Sequence, residues 1–249
     1  MKRHLVLVVL SLAALLGNLA AASTREDATE RLQSSSDVLK QIADAPDKGI
    51  PEEVLHNSKC IVVIPHLVKA GFILGAKHGR GVAVCRTSAG WSAPAFVAVS
   101  GGSWGLQIGA EGVDLVMLVM NDKGLQHLLS SKFEVTGEGS AAAGPVGRHA
   151  SAGTDWKLNT ELLTYSRSRG IFAGLTLEGA VVEQDADATV AIYGNDLPFK
   201  KILLGDVAAP AQAAPFLQAV TEISHQARKQ EARENAPEDQ KADQKKENQ

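Results

Sequence analysis

The sequence predicts an α+β fold: a β-rich core, as an antiparallel sheet or a barrel-like closure of one, with short helices at both ends and one internal helix. Three observations carry that prediction. Glycine is abundant at 23 residues while aromatics are only 4% of the chain, which suits tight turns and close backbone approaches rather than a helical bundle. From Lys59 onward, short apolar runs alternate with Gly, Pro and Ser, the texture of strands joined by turns. Apolar residues at helical spacing occur mainly near the two ends and in one central segment. Hydrophobic residues make up 45% of 249, enough for one sizeable core, and neither an internal repeat nor a second domain is visible.

Residues 1–22 read as an export signal. Lys2 and Arg3 precede the apolar run Leu5 to Leu16, Gly17 and Asn18 break it, and Ala20, Ala21 and Ala22 supply small residues for cleavage before Ser23. About twelve apolar residues are too few to cross a bilayer roughly 30 Å thick as a helix. The alternative is an uncleaved anchor or a buried helix. No cysteine follows the run, which argues against a lipoprotein anchor.

Residues 23–205 read as one domain. Ala28, Leu32, Val38, Leu39 and Ile42 set an amphipathic helix over 24–45, ended by Pro46, and Pro51 opens a second, EEVLHN. Strands are predicted at CIVVIP, AGFILGA, GVAVCR, APAFVAVS, WGLQIGA and VDLVMLVM, after which Asn121 caps a helix through GLQHLLSS. The stretch TGEGSAAAGPVGRHASAGTD is too Gly-rich for a helix. Further strands are predicted at ELLTYS, GIFAGLTL, GAVVEQ and ATVAIYG, with a short helix at LPFKKILL. Residues 206–235 hold an amphipathic helix from Pro215 towards Asn235, and 236–249 form a mixed-charge, aromatic-free tail of disordered character.

Charge is segregated along the chain. The formal balance of −3 says little, and loss of Lys2 and Arg3 leaves 23 basic against 28 acidic residues, or −5. No acid occurs between Glu53 and Glu111, an interval holding Lys59, Lys69, Lys77, Arg80 and Arg86 with His56, His66 and His78. Glu178 to Asp196 carries acids and no base. A one-signed segment attracts an anionic partner, unless its cations pair with acids from elsewhere in the fold. Near an anionic bilayer each cation contributes about 1 kcal/mol. Five give about 5 kcal/mol, a dissociation constant of roughly a few tenths of a millimolar, so the adhesion is weak and salt-sensitive. Phe72, Trp91 and Trp104 lie in or beside Gly-rich turns, placed either to reach an interface or to pack in the core.

Cys60 and Cys85 fit a disulfide closing a loop of about 25 residues and stabilising by up to about 3.5 kcal/mol; the alternative is two buried thiols. Two cysteines and scattered histidines show no ligand spacing, so neither metal nor cofactor is expected. Gly101 to Gly105 matches G-x-S-x-G with Ser103 as the nucleophile, but that chemistry needs strand, sharp turn and helix, with a downstream acid and histidine. The residues after Gly105 read as strand, and His127, His149 and His225 lack a recognisable setting. A serine hydrolase is therefore the remote reading. GAKHGRG lacks the GK[ST] ending of a phosphate loop and reads as a turn carrying Lys77 and Arg80. Nucleic-acid binding is disfavoured by the net acidity and the missing basic, aromatic stripe.

The runs KCIVVIPHLVKAGFILGAKHGRGVAVCR, GWSAPAFVAVSGGSWGLQIGAEGVDLVMLVMN, AAAGPVGRHASAGTD and YSRSRGIFAGLTLEGA together resemble the SYLF lipid-binding domain, over roughly residues 35 to 205. Lys69 to Phe72 matches its KAGF motif, as do the turn at Gly75 to Gly81, the GGS turn at Gly101 to Ser103 and the SRSRG segment; AIYG at Ala191 to Gly194 departs from a double tyrosine. The resemblance implies binding of anionic lipids, including phosphoinositides in eukaryotic members, some of which also bind actin. Together with the charge segregation it makes Lys69, Lys77, Arg80, Arg86, Arg148, Arg167 and Arg169 the expected lipid-binding residues. The expected protein is exported, periplasmic or secreted, non-enzymatic, and peripherally attached to anionic phospholipids. The alternative is an envelope scaffold with a protein partner on its C-terminal helix.

Overall fold

The computed structural model describes residues 24–42, 49–71, 74–104, 109–135, 141–144, 160–168, 171–174, 177 and 179–234. The expected leader and tail lie outside these residues. The apolar runs between Cys60 and Val119, expected as six short strands, are four long ones: β1 Cys60–Gly71, β2 Leu74–Thr87, β4 Ala95–Trp104 and β5 Gly109–Val119, with a two-residue β3, Gly90–Trp91. A bulge lets β1 run through Pro65. His66 adopts φ 55, and the register slips by one residue against both β2 and β5, which absorbs the missing proline N–H. The bulged strand then lies close against β2. A Cβ at Gly81 would fall 2.0 Å from the Val63 carbonyl oxygen, so that position requires glycine.

The remaining strands are β6 Lys132–Glu134, β7 Ala141–Ala143, β8 Leu162–Ser168, β9 Ile171–Gly174 and β10 Ala180–Gln184. They assemble in the order β6-β10-β4-β2-β1-β5-β8-β7, with β3 paired to β2 and β9 to β8, in a sheet that curls into a half-barrel. Among the described residues, all pairings are antiparallel except β7 with β8.

The helices are α1 (residues 24–42), α2 Glu52–Asn57, α3 Asp122–Leu129, α4 Ala186–Tyr193, α5 Phe199–Leu203 and α6 Ala214–Glu234. The α+β expectation holds. One element differs: ATVAIYG, read as a strand for its β-branched residues, is α4. Asp185 caps it by accepting the Ala188 N–H at 3.0 Å, and Gly194 closes it at φ 78. These end signals outweigh a weak strand propensity.

Strand alternation divides the core into two layers. Ile61, Val63, Val82, Val84, Phe96, Val116 and Leu118 form the helical face, packed under α1, α2, α4 and α6. Val62, Ile64, Ala83, Val97, Leu115 and Met117 form the reverse face, covered by α3 and α5. Cys60 and Cys85 are opposed on the reverse face and joined in the expected disulfide, with Cα atoms 4.0 Å apart.

Candidate functional site

At the distal end of the sheet, where β1 ends at Gly71 and β2 begins at Leu74, the reverse face changes from apolar to charged. Lys69 of β1 lies directly opposite Lys77 of β2, and the row continues to Gly101 on β4 and Glu111 on β5. Ser168 donates to Glu111 Oε1 at 2.7 Å. Like charges set opposite each other across strands repel. Burial pushes the Lys69 ammonium below its ordinary range, and the Glu111 carboxylate partly offsets this. Lys77 is only 7% exposed. Its stem passes close over Gly101, where a Cβ would meet Lys77 Cε at 3.0 Å.

The other expected lipid contacts do not join this pair. Arg80 lies on the helical face, 3.7 Å from Asp27 and 4.0 Å from Asp185. Arg167 lies opposite Asp114 at 3.6 Å and donates to Gln41 of α1. Both arginines thus attach α1 to the sheet. Arg86 lies at the other end of β2. Its Nε donates to the Ser58 carbonyl at 2.8 Å, and its Nη2 donates to those of Leu55 and His56 at 3.2 and 3.3 Å. These bonds close the end of α2, and the guanidinium lies 4.5 Å from the Trp91 ring centroid. Arg148 and Arg169 lie outside the described residues. A single convergent basic surface is therefore not what the described cations form. Strand parity is the reason: odd-numbered Lys77 and even-numbered Arg80 and Arg86 leave β2 on opposite sides.

The aromatic residues divide in the same way. Trp91 packs against the helical-face core beneath Arg86, a structural position far along the strands from Lys69. The Trp104 backbone pairs with Leu74 at the distal end, its side chain lying outside the described residues, as does Phe72. At Ser103 the backbone is extended strand opposite Gly75, not the strand–turn–helix elbow a serine nucleophile requires.

Three acids that sequence reasoning left unassigned organise this architecture. Glu111 and its Ser168 partner complete the distal row; its signal was being the first acid after a long cationic interval. Asp185 accepts from Arg31 Nη1 at 2.8 Å while capping α4, and its signal was a cap residue directly after a strand-like run. Glu161, buried at 3% exposure, lies 2.6 Å from Lys123 Nζ and 2.8 Å from His127 Nδ1 and sets α3 against the start of β8.

Comparison with known proteins places this architecture. A family profile described as "Ysc84: Las17-binding protein actin regulator" matches residues 100–223. An SH3 domain-containing protein of Schizosaccharomyces pombe is 38% identical over 172 residues, covering 67% of this chain and 40% of that protein. The human SH3 domain-containing YSC84-like protein 1 is 32% identical over 193 residues, or 77% of this chain and 56% of its own length. Protein YSC84 of Saccharomyces cerevisiae is 33% identical over 176 residues, or 69% and 37%. The chain thus spans between about a third and just over half of these relatives, and none of their names describes an enzyme. The chain belongs to the Ysc84 family, whose shared unit is the SYLF domain.

Proposed function

We propose that this protein is a non-enzymatic, exported, peripheral binder of anionic lipid, with Lys69 and Lys77 as its headgroup-facing charges and Arg148 and Arg169 as further contacts. The observation that carries this reading is the opposed lysine pair on a partly buried sheet end. Two lysines set opposite each other across neighbouring strands are unfavourable to the fold and suited to an anion with several oxygens. At about 1 kcal/mol each near an anionic surface, they contribute about 2 kcal/mol, or roughly thirtyfold in affinity. Such binding weakens as salt shortens the Debye length.

Co-sedimentation tests it. The protein is expected to pellet with phosphatidylcholine–phosphatidylglycerol vesicles and not with phosphatidylcholine alone, and to be released by rising salt. Indifference to lipid charge would contradict the reading. Export is tested in the same preparation. Secretion by a Gram-negative host should yield a mature chain beginning at Ser23, whereas retention of Met1 in the cytosolic fraction would oppose it.

A protein-interaction role is the second reading, favoured by the family's description, which names Las17 binding and actin regulation. Sedimentation with filamentous actin at a ratio unaffected by Lys69→Gln and Lys77→Gln, together with no vesicle binding, would establish it instead.

A further inference from the structure

At the end of the sheet away from Lys69, the charge that acts most on Arg86 is that of another arginine. Arg86 is half-buried. Burial holds its guanidinium below the ordinary arginine range, and the positive charge of Arg228 on α6 pushes the same way. Packing around α2 brings the two into range. Arg86 Nη2 donates to the Leu55 carbonyl, and Val54 and Leu55 share a core cluster with Ile223 and Ala227, the residue before Arg228. Elsewhere on this face Arg31, Arg80 and Arg167 each face a carboxylate. Among the described residues, neither Arg86 nor the exposed Arg228 forms an ion pair. The carboxylates of the two helices are placed elsewhere along them. Glu52 and Glu53 open α2, whereas Arg86 bonds the carbonyls at its end. Glu222 lies six residues before Arg228, about 9 Å along the helix axis.

We propose that Arg86 and Arg228 form a binding site for a phosphate group, separate from the lysine pair and independent of the lipid-binding reading. Arg86 is prepared for that role. Its Nε and Nη2 are held by three backbone carbonyls, and the Trp91 ring centroid lies 4.5 Å from the guanidinium. Its direction is thus fixed before an anion arrives. Among the described residues, its Nη1 donates to no protein group. Arg228, at the surface of α6, supplies the second fork. Guanidinium groups bind phosphate through paired N–H bonds, and an anion between two of them cancels a repulsion the fold otherwise carries. Two positive charges match a phosphate group, with its charge of about −2, better than a single carboxylate. The phosphate can arrive as the free ion or as the exposed monoester of a lipid such as phosphatidic acid, with the same chemistry of recognition.

Thermal melting of the full chain at constant ionic strength, with phosphate replacing chloride, tests the site. The parent's midpoint should rise with phosphate and level off, as binding to the folded state requires. Arg228→Gln should melt no lower than the parent in chloride, having lost only repulsion, and should lose about tenfold in phosphate affinity. Arg86 is left intact because its bonds close α2. A second arm measures binding to phosphatidylcholine vesicles containing phosphatidic acid in phosphate-free buffer. Weaker vesicle binding by Arg228→Gln, with no phosphate effect on the parent's melting, assigns the site to a lipid monoester; the reverse pattern assigns it to the free ion. Equal phosphate-dependent rises in parent and variant are a general salt effect and overturn the proposal. A lower midpoint for Arg228→Gln in chloride also overturns it, by showing that Arg228 already has a stabilising partner within the protein. So does insensitivity of both vesicle binding and melting to the substitution.

Discussion

At Lys69 the fold accepts an unfavourable charge. Burial lowers its folded-state pKa below the ordinary 10.5, so between that lowered value and 10.5 the unfolded chain binds more protons and stability rises with pH. Below the window the penalty is fully present. Lys69→Met is therefore expected to melt above the parent at pH 7, with the difference shrinking towards pH 10, while binding anionic vesicles less well. A lower melting temperature at pH 7 would show that the lysine stabilises the sheet. Gly81 makes the opposite case. With its Cβ position 2.0 Å from a backbone oxygen, Gly81→Ala is expected to cost about 3 kcal/mol by denaturant titration, and a loss below about 1 kcal/mol would mean that the bulge yields. Neither role was legible from residue type alone. GAKHGRG reads as a turn because glycines cluster there, yet Gly79 and Gly81 serve the close approach of β1 to β2, visible only once the bulge in β1 is known.

At the scale of elements, α1 is attached by charge as well as by its apolar stripe. Arg31 and Asp185 form a pair with side chains only 7% and 11% exposed, Arg80 flanks it, and Arg167 reaches Gln41 further along the helix. Removing one partner of a buried pair strands the other. Asp185→Ala should cost about 3 kcal/mol, including about 1 from the lost α4 cap. Arg80→Ala, about half exposed, should cost under about 1 kcal/mol. Equal losses would remove the distinction between buried hub and exposed flank. The sequence showed α1, α2, α3, α5 and α6 through periodicity, proline and cap residues. It misassigned α4, where Val, Ile and Tyr suggest a strand and only Asp185 and Gly194 mark the ends. The layer assignment of the cations was also readable, since parity along β2 separates Lys77 from Arg80 and Arg86; the interval's uniform sign drew attention to the sum rather than to the direction of each side chain.

For the whole molecule, both of its tyrosines report on the helical layer. Tyr165 is fully buried, Tyr193 donates to the Pro94 carbonyl at 2.7 Å, and burial raises both pKa values. A raised acid pKa means that above about pH 10 the unfolded state sheds protons the folded state keeps, so stability falls as pH rises. Tyrosinate absorbance should therefore appear only together with loss of far-UV circular dichroism. Ionisation near pH 10 in a folded protein would show an open core. Among the described residues, the distal end is where two lysines of neighbouring strands lie opposite each other. The most direct measurement is vesicle affinity as a function of salt for the parent, for Lys69→Gln with Lys77→Gln, and for Arg80→Gln with Arg167→Gln. A roughly thirtyfold loss and a shallower salt dependence are expected for the lysine variant alone. Equal losses in both variants, or none in the lysine variant, would contradict a lipid contact at the distal lysine pair.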